Sequence, residues 1–482
     1  MMMNHPAGKQ AVFLQTMGAV LLAVVLIMSG CSSQSTTTRD VSGNVTAYGL
    51  PLAGVTVTLS GAADRTTTTD ANGHYLFSAL EEGSYAVTPS LAGYNFSPAI
   101  RLLTIRGADG INISFGAISV GMVATSFHTL YLDNSYTLWV WGLNADGQLG
   151  DGTIIAKQSP VAISLSGVIA IAAGDAHTVA RMSDSTIRAW GSNSRGQLGD
   201  GAVANSAIPI APSNLAGLTI TAVAAGDAHT VALLSDGTVR AWGDNIHGQL
   251  GDGTSGGFSS TPITAVFPAG LTMTAVSAGY HYSAALCSDG TVWTWGLNAH
   301  GQLGNNSTTD ASAPVQVIDL TQVGGFLAGV IAISAGHDNT LLGNSHTVAL
   351  KSDGTVWAWG NNSSGQLGDG SVLDRLTPVQ ATGLTAMTLI AAGFDHTVAL
   401  KNDGTVWVWG NNGKGQLGDG TLVSKSVPVQ VPGLTDIMHV AAGFENTIVR
   451  KKDGTVWAWG NNSNGQLGDG STTDRSVPTK IK

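Results

Sequence analysis

Charge is scarce in this chain: only 11% of its 482 residues are Asp, Glu, Lys or Arg, and they leave a formal net charge of −10. Without a basic excess there is no electrostatic footprint for phosphates, which argues against nucleic acid as a partner. Cysteine is nearly missing. The two present, Cys31 and Cys287, cannot build a disulfide framework. The N-terminal apolar run from Met17 to Met28 is twelve residues long, too short to span a bilayer. What the chain does have is 64 glycines and 43% hydrophobic residues. That combination buries a large core, in more than one domain, from many short strands and tight turns rather than long salt-bridged helices. The expected class is all-β.

Lys9, the run to Met28, and then Ser29, Gly30 and Cys31 have the three-part layout of an export signal. Met28-Ser29-Gly30-Cys31 resembles a bacterial lipobox, which implies removal of residues 1–30 and acylation of Cys31. Ser32 is similar to the residue that by default sends such lipoproteins to the outer membrane. The expected location is therefore the bacterial cell envelope, reached through a lipid anchor. Residues 31–40 are small and polar and read as a flexible tether.

Over residues 41–117 short β-rich runs, among them Gly54 to Leu59 and His74 to Phe77, alternate between Asn72-Gly73 and Glu82-Gly83 turns. This reads as a small sandwich. PLAGVTVTLSG and the segment after it resemble carboxypeptidase regulatory-like, transthyretin-like domains, which implies a spacer.

The remainder is repetitive. W-G-x-N-x-x-G-Q-L-G or a close variant begins at Trp141, Trp190, Trp242, Trp295, Trp359, Trp409 and Trp459, at spacings of 49, 52, 53, 64, 50 and 50. Each unit reads as four strands with an Asp-Gly hairpin between the second and third, the arrangement of a propeller blade. Blades are expected at about 118–166, 167–217, 218–270, 271–328, 329–384, 385–434 and 435–482. Together with A-G-x-x-H-[ST], these strings resemble the regulator-of-chromosome-condensation repeat, which implies a seven-bladed β-propeller over 118–482.

Positions shared by every blade must serve what every blade needs, namely packing. All twelve tryptophans fall in the third strands and read as inter-blade core. His128, His177, His229, His346 and His396 sit too far apart around a ring to converge on one metal, and read as hydrogen-bonded hairpin ends. Gly253-Thr-Ser-Gly-Gly257 fits a nucleophile-elbow string but lies in a loop without strand-to-helix context. No catalytic residue, metal site or cofactor is assigned.

The A-G-x-x-H turns and the N-x-x-G loops open on one face. Their variable positions supply the expected partner-binding residues: Phe127, Tyr280, His281, Phe394, Asp395, Phe444 and Glu445. Asp338, Leu341 and Leu342 join them from an enlarged turn, because Gly336 and His346 are ten apart in blade five where sibling blades keep three. The expected function is a non-catalytic, envelope-anchored module for a protein, or alternatively a glycan, partner. A structural spacer and a glycan-processing propeller are the competing readings. Guanine-nucleotide exchange, the activity of the family's eukaryotic founder, rests on fold analogy alone. Oligomeric state is left open.

Overall fold

The computed structural model describes residues 39–47, 50–91, 95–97, 100–106, 111–118, 121–320, 325–337 and 343–482, all of them strand, turn or irregular structure. Cys31, Asp338, Leu341 and Leu342 lie outside the described residues.

The N-terminal part is two sheets. Arg39–Ala47 is the centre of one, antiparallel to His74–Leu80 and parallel to Phe115–Ile118. The other runs Arg65–Thr68, Thr56–Gly61, Gly83–Ser90, Arg101–Ile105. Alternation decides what lies between them: Val57 and Leu59, Tyr75 and Phe77, Tyr85 and Val87 point inward and are buried. The Tyr75 hydroxyl is drawn in with its ring and donates to the Ile113 carbonyl at 2.6 Å. Ile118 still pairs with Asn95 here, and the first propeller strand begins at Met122.

Seven four-stranded antiparallel sheets follow, each in sequence order. Blade one is Met122–Ala124, His128–Leu132, Leu138–Gly142, Lys157–Ile163, and blade seven is Ile437–Ala442, Asn446–Lys451, Val456–Gly460, Arg475–Lys480. Among the described residues no strand is exchanged between them, and the junction is made by side chains, loops and the packing of the first strands. The first strands of all seven blades surround an axial channel with a cavity of about 250 Å³, lined by small and branched residues such as Val123, Ile171, Val223, Val276 and Ala391.

Each fourth strand carries a proline: Pro160, Pro209, Pro262, Pro314, Pro378, Pro428 and Pro478. It sits where the register against the third strand slips, in a bulge present in every blade. An outer strand would otherwise offer a continuous row of unpaired amides to another sheet. Proline in a bulge removes a donor and twists that edge away.

Candidate functional site

The shared residues of the repeat are consumed at the blade junctions. Seven tryptophans, Trp141, Trp190, Trp242, Trp295, Trp359, Trp409 and Trp459, are fully buried. Each indole N–H donates to the backbone carbonyl of the G-Q-L-G glutamine one blade back, at 2.8–2.9 Å. The hydroxyl after each belt histidine position donates to that same carbonyl, as Thr178 does to Gln148 at 2.8 Å. The last glycine of the motif lies under the next blade's indole: a Cβ on Gly368, at φ +74°, would meet Trp409 Nε1 at 2.7 Å. The other five tryptophans of the W-x-W strings, Trp139, Trp293, Trp357, Trp407 and Trp457, are only half-buried, so they do not share the depth expected of all twelve.

The histidines form a belt. His128 Nε2 meets Thr178 Oγ1 at 3.0 Å, His177 meets Thr230 at 3.0 Å, His229 meets Ser283 at 2.9 Å, His346 meets Thr397 at 2.8 Å and His396 meets Thr447 at 3.0 Å. Because each hydroxyl proton is already given to a glutamine carbonyl, the imidazole is the donor, which fixes the Nε2–H tautomer. Burial holds these rings neutral, with pKa values near 3 for His128, His177 and His396 and near 4 for His346. Tyr282 takes the histidine's place in blade four and its hydroxyl lies 3.0 Å from Thr347 Oγ1.

What is left for recognition surrounds one mouth of the channel. The first variable turn position is Ser126, Asp175, Asp227, Tyr280, Phe394 and Phe444 in blades one to four, six and seven, and His337 of blade five lines the channel beside them. Phe394 and Phe444 stack across the junction of blades six and seven, with centroids 4.4 Å apart and planes 12° apart. Phe394 is buried in this stack, at 8% exposure, and Tyr280 is buried at 6%, while Phe127, His281, Phe444 and Glu445 are half-buried. Asp395 is buried and accepts from Gln366 Nε2 at 2.9 Å, and Glu445 accepts from Asn461 at 2.8 Å. The structure therefore brings Phe394 and Phe444 together, sets Tyr280 against His281 at 3.9 Å between ring centroids, ties Asp395 to Gln366 and Glu445 to Asn461, and places Phe127 in blade one. Ser255 of the elbow-like string is exposed in the long loop of blade three. Among the described residues no group of three His, Cys, Asp or Glu side chains is arranged to hold a metal.

The RCC1-like domain model matches residues 110–343, and the regulator of chromosome condensation (RCC1) repeat model matches 353–400, 403–449 and 453–482. The ultraviolet-B receptor UVR8 of Arabidopsis thaliana is 33% identical over 304 residues, a match covering 53% of this chain and 68% of the receptor. The chain belongs to the regulator of chromosome condensation repeat family. Human E3 ubiquitin-protein ligase HERC2 is 32% identical over 249 residues, but the chain spans only 5% of that protein's length. Human WBSCR16 and yeast RCC1 (Prp20) share the RCC1 fold, with TM-scores of 0.63 and 0.61 at 23% and 22% identity, covering 72% and 75% of this chain and 94% and 85% of theirs. Residues 40–113 match the carboxypeptidase regulatory-like domain.

Two features of this RCC1 propeller were not anticipated. Asp244, in the x position of W-G-x-N in blade three, is buried with its carboxyl pKa raised by that burial. It accepts from Gln249 at 2.7 Å and faces Arg195 and His281, each at 3.7 Å. The visible signal was an acid at a position that is Leu, Ser or Asn in the sibling blades. The second feature is a gap in the belt. Asn446 replaces histidine in blade seven, is fully buried, and neither its Oδ1 nor its Nδ2 finds a hydrogen-bond partner in the protein. Thr129, the acceptor it would need, still donates to Gln466 at 2.8 Å. Asn446→His should complete the belt at the closing junction and raise stability by about 1–2 kcal/mol, a rise of a few degrees in Tm by calorimetry. An unchanged or lowered Tm would show that the belt adds nothing at this junction.

Proposed function

We propose that the chain is a non-catalytic protein-binding module of the bacterial cell envelope, anchored through lipid on Cys31, which presents the loop face of its propeller to a protein partner. The observation that supports this best is the division of labour inside the repeat. Residues common to all blades are spent on the junctions, whereas the variable turn positions carry Phe127, Tyr280, His281, Phe394, Asp395, Phe444 and Glu445. The register of the repeat assigns the enlarged turn with Asp338, Leu341 and Leu342 to the same face in this reading, and long loops on a rigid scaffold are where recognition concentrates. Propellers of this fold do take protein partners: yeast RCC1 has been crystallised bound to Kap60, and Prp20p has been characterised for binding to Gsp1p and histones. Those partners belong to those proteins. The fold does not transfer them here.

The test uses the full chain as bait in its own envelope extract, beside a variant whose blade-five turn is cut to the three-residue spacing of its siblings. Loss of a specific captured protein with unchanged Tm is expected, and retention with full affinity would remove the turn from the site. In the same strains Cys31→Ser should release the chain from the membrane fraction, and an unaltered membrane-bound pool would refute the anchor.

A further inference from the structure

The loops between third and fourth strands expose aliphatic pairs at equivalent places: Ile154 and Ile155 in blade one, Val372 and Leu373 in blade five, Leu422 and Val423 in blade six, each 58–67% exposed. They project at the outer rim of the face that bears the channel mouth, because these loops and the A-G-x-x-H turns leave the same ends of the strands. Water-facing aliphatics repeated around one rim are what a docking surface offers.

Charge decides what can dock. Among the described residues, the A-G-x-x-H turns and the segments from the end of each third strand to the first residue of the fourth hold fifteen carboxylates against six Lys and Arg. The rest of the propeller holds nine against ten. One face thus carries nearly all of the chain's formal charge of −10, and the other is close to neutral. Some acids are neutralised locally, as Asp369 is by Arg375 at 2.6 Å and Asp469 by Arg475 at 2.7 Å, and these are already in the balance. Exposed Asp310 and Asp374, each 2.7 Å from a histidine ring nitrogen (His247 and His300), and Asp474, 3.5 Å from Lys414, stand along the same rim. Such a field repels nucleic acid, an anionic lipid surface and a second copy of the same face, while it attracts a cation-rich one.

Resting on the protein-binding reading above, we infer that the aliphatic rim and acidic loop face together dock a basic protein surface, its Lys and Arg side chains meeting the carboxylates and its apolar residues covering the rim. The partner class is a cationic, amphipathic segment or domain.

The probe is a synthetic Lys/Leu amphipathic peptide, with its Glu/Leu counterpart as control, titrated calorimetrically onto the full chain at two salt concentrations. Expected are binding of the Lys/Leu peptide alone, weakening about tenfold between 50 and 300 mM salt. A similar loss is expected in two variants with unchanged Tm, one neutralised on this face (Asp146→Asn, Asp310→Asn, Asp374→Asn, Glu445→Gln) and one with Ile154, Ile155, Leu422 and Val423 changed to Ser. Neutralising Asp184, Asp236, Asp353 and Asp403 on the other face should change affinity less than twofold. Equal losses from the two charge variants, an indifferent rim variant, or binding of the Glu/Leu peptide would overturn the inference. The native partner captured by the bait separates the two claims. Capture that depends on the rim but not on charge or salt ends the basic-partner inference and leaves the protein-binding reading standing, whereas capture indifferent to every loop-face residue ends both.

Discussion

Acidification from pH 7 should unfold the propeller between about pH 5.5 and 4.5, above the ordinary carboxylate midpoints of about 4. The cause is the histidine belt. Its five rings have folded-state pKa values near 3 to 4, or well below normal in the case of His229, against an unfolded value of 6.5. A depressed imidazole pKa means that the unfolded chain binds protons the native state refuses. The stabilisation is therefore complete above pH 6.5 and is lost as pH falls toward the folded values. Each ring costs about 1.4 kcal/mol per pH unit in that range, so five together cost roughly 7 kcal/mol per unit, comparable to the whole stability of an ordinary domain. The hairpin aspartates Asp353, Asp403 and Asp453, held low by hydrogen bonds from Thr355, Thr405 and Thr455, add their loss only below about pH 4. Tryptophan fluorescence followed against pH checks this, with His177→Gln expected to shift the midpoint downward. A propeller still folded at pH 4 with an unaltered Tm contradicts it.

Trp359→Ala should cost about 3–5 kcal/mol, and Trp357→Ala under about 1 kcal/mol, although the two are neighbours in one strand. Trp359 is fully buried between blades four and five against Val292, Val317 and Leu327, and its indole N–H is spent on Gln302 at 2.9 Å. Its removal leaves a cavity and a carbonyl with one donor fewer. Trp357 is half-buried, its N–H answers only the local Thr355 hydroxyl at 3.1 Å, and Lys351 lies 5.2 Å over its ring. Urea denaturation of the two variants separates them, and equal losses would mean that depth along the strand does not set the energetics.

That contrast shows where sequence reading stops. Seven blades were legible because W-G-x-N-x-x-G-Q-L-G and the Asp-Gly hairpin recur in phase, and a position repeated in every blade reports packing. Period-2 alternation puts both tryptophans of W-x-W on one strand face. It cannot say that the one near the Asp-Gly turn lies where solvent reaches between blades, so Trp357 and Trp359 looked alike. The belt histidines were readable as hydrogen-bonded residues, but their partners sit in the next blade about fifty residues on, at a distance only the closed ring defines. The recurring fourth-strand proline was legible and unread. At the channel mouth the variable positions stood out from sequence, whereas the stacking that buries Phe394 against Phe444 depends on the spacing of two blades. Asp338, Leu341 and Leu342 remain expectations, as does Cys31.

Among the described residues the ring closes without exchanging a strand, yet its last junction keeps most of the ties of the other six: Trp141 and Thr129 donate to Gln466, and Gly470 N reaches the Gln158 carbonyl at 3.0 Å. Apart from the gap at Asn446, the joint where the chain happens to end is built like the joints where it runs on. The order of the blades along the chain is therefore nearly arbitrary with respect to the ring. Joining residue 482 to the first blade by a short linker and cutting instead in any inter-blade link yields a circularly permuted propeller with the same seven interfaces.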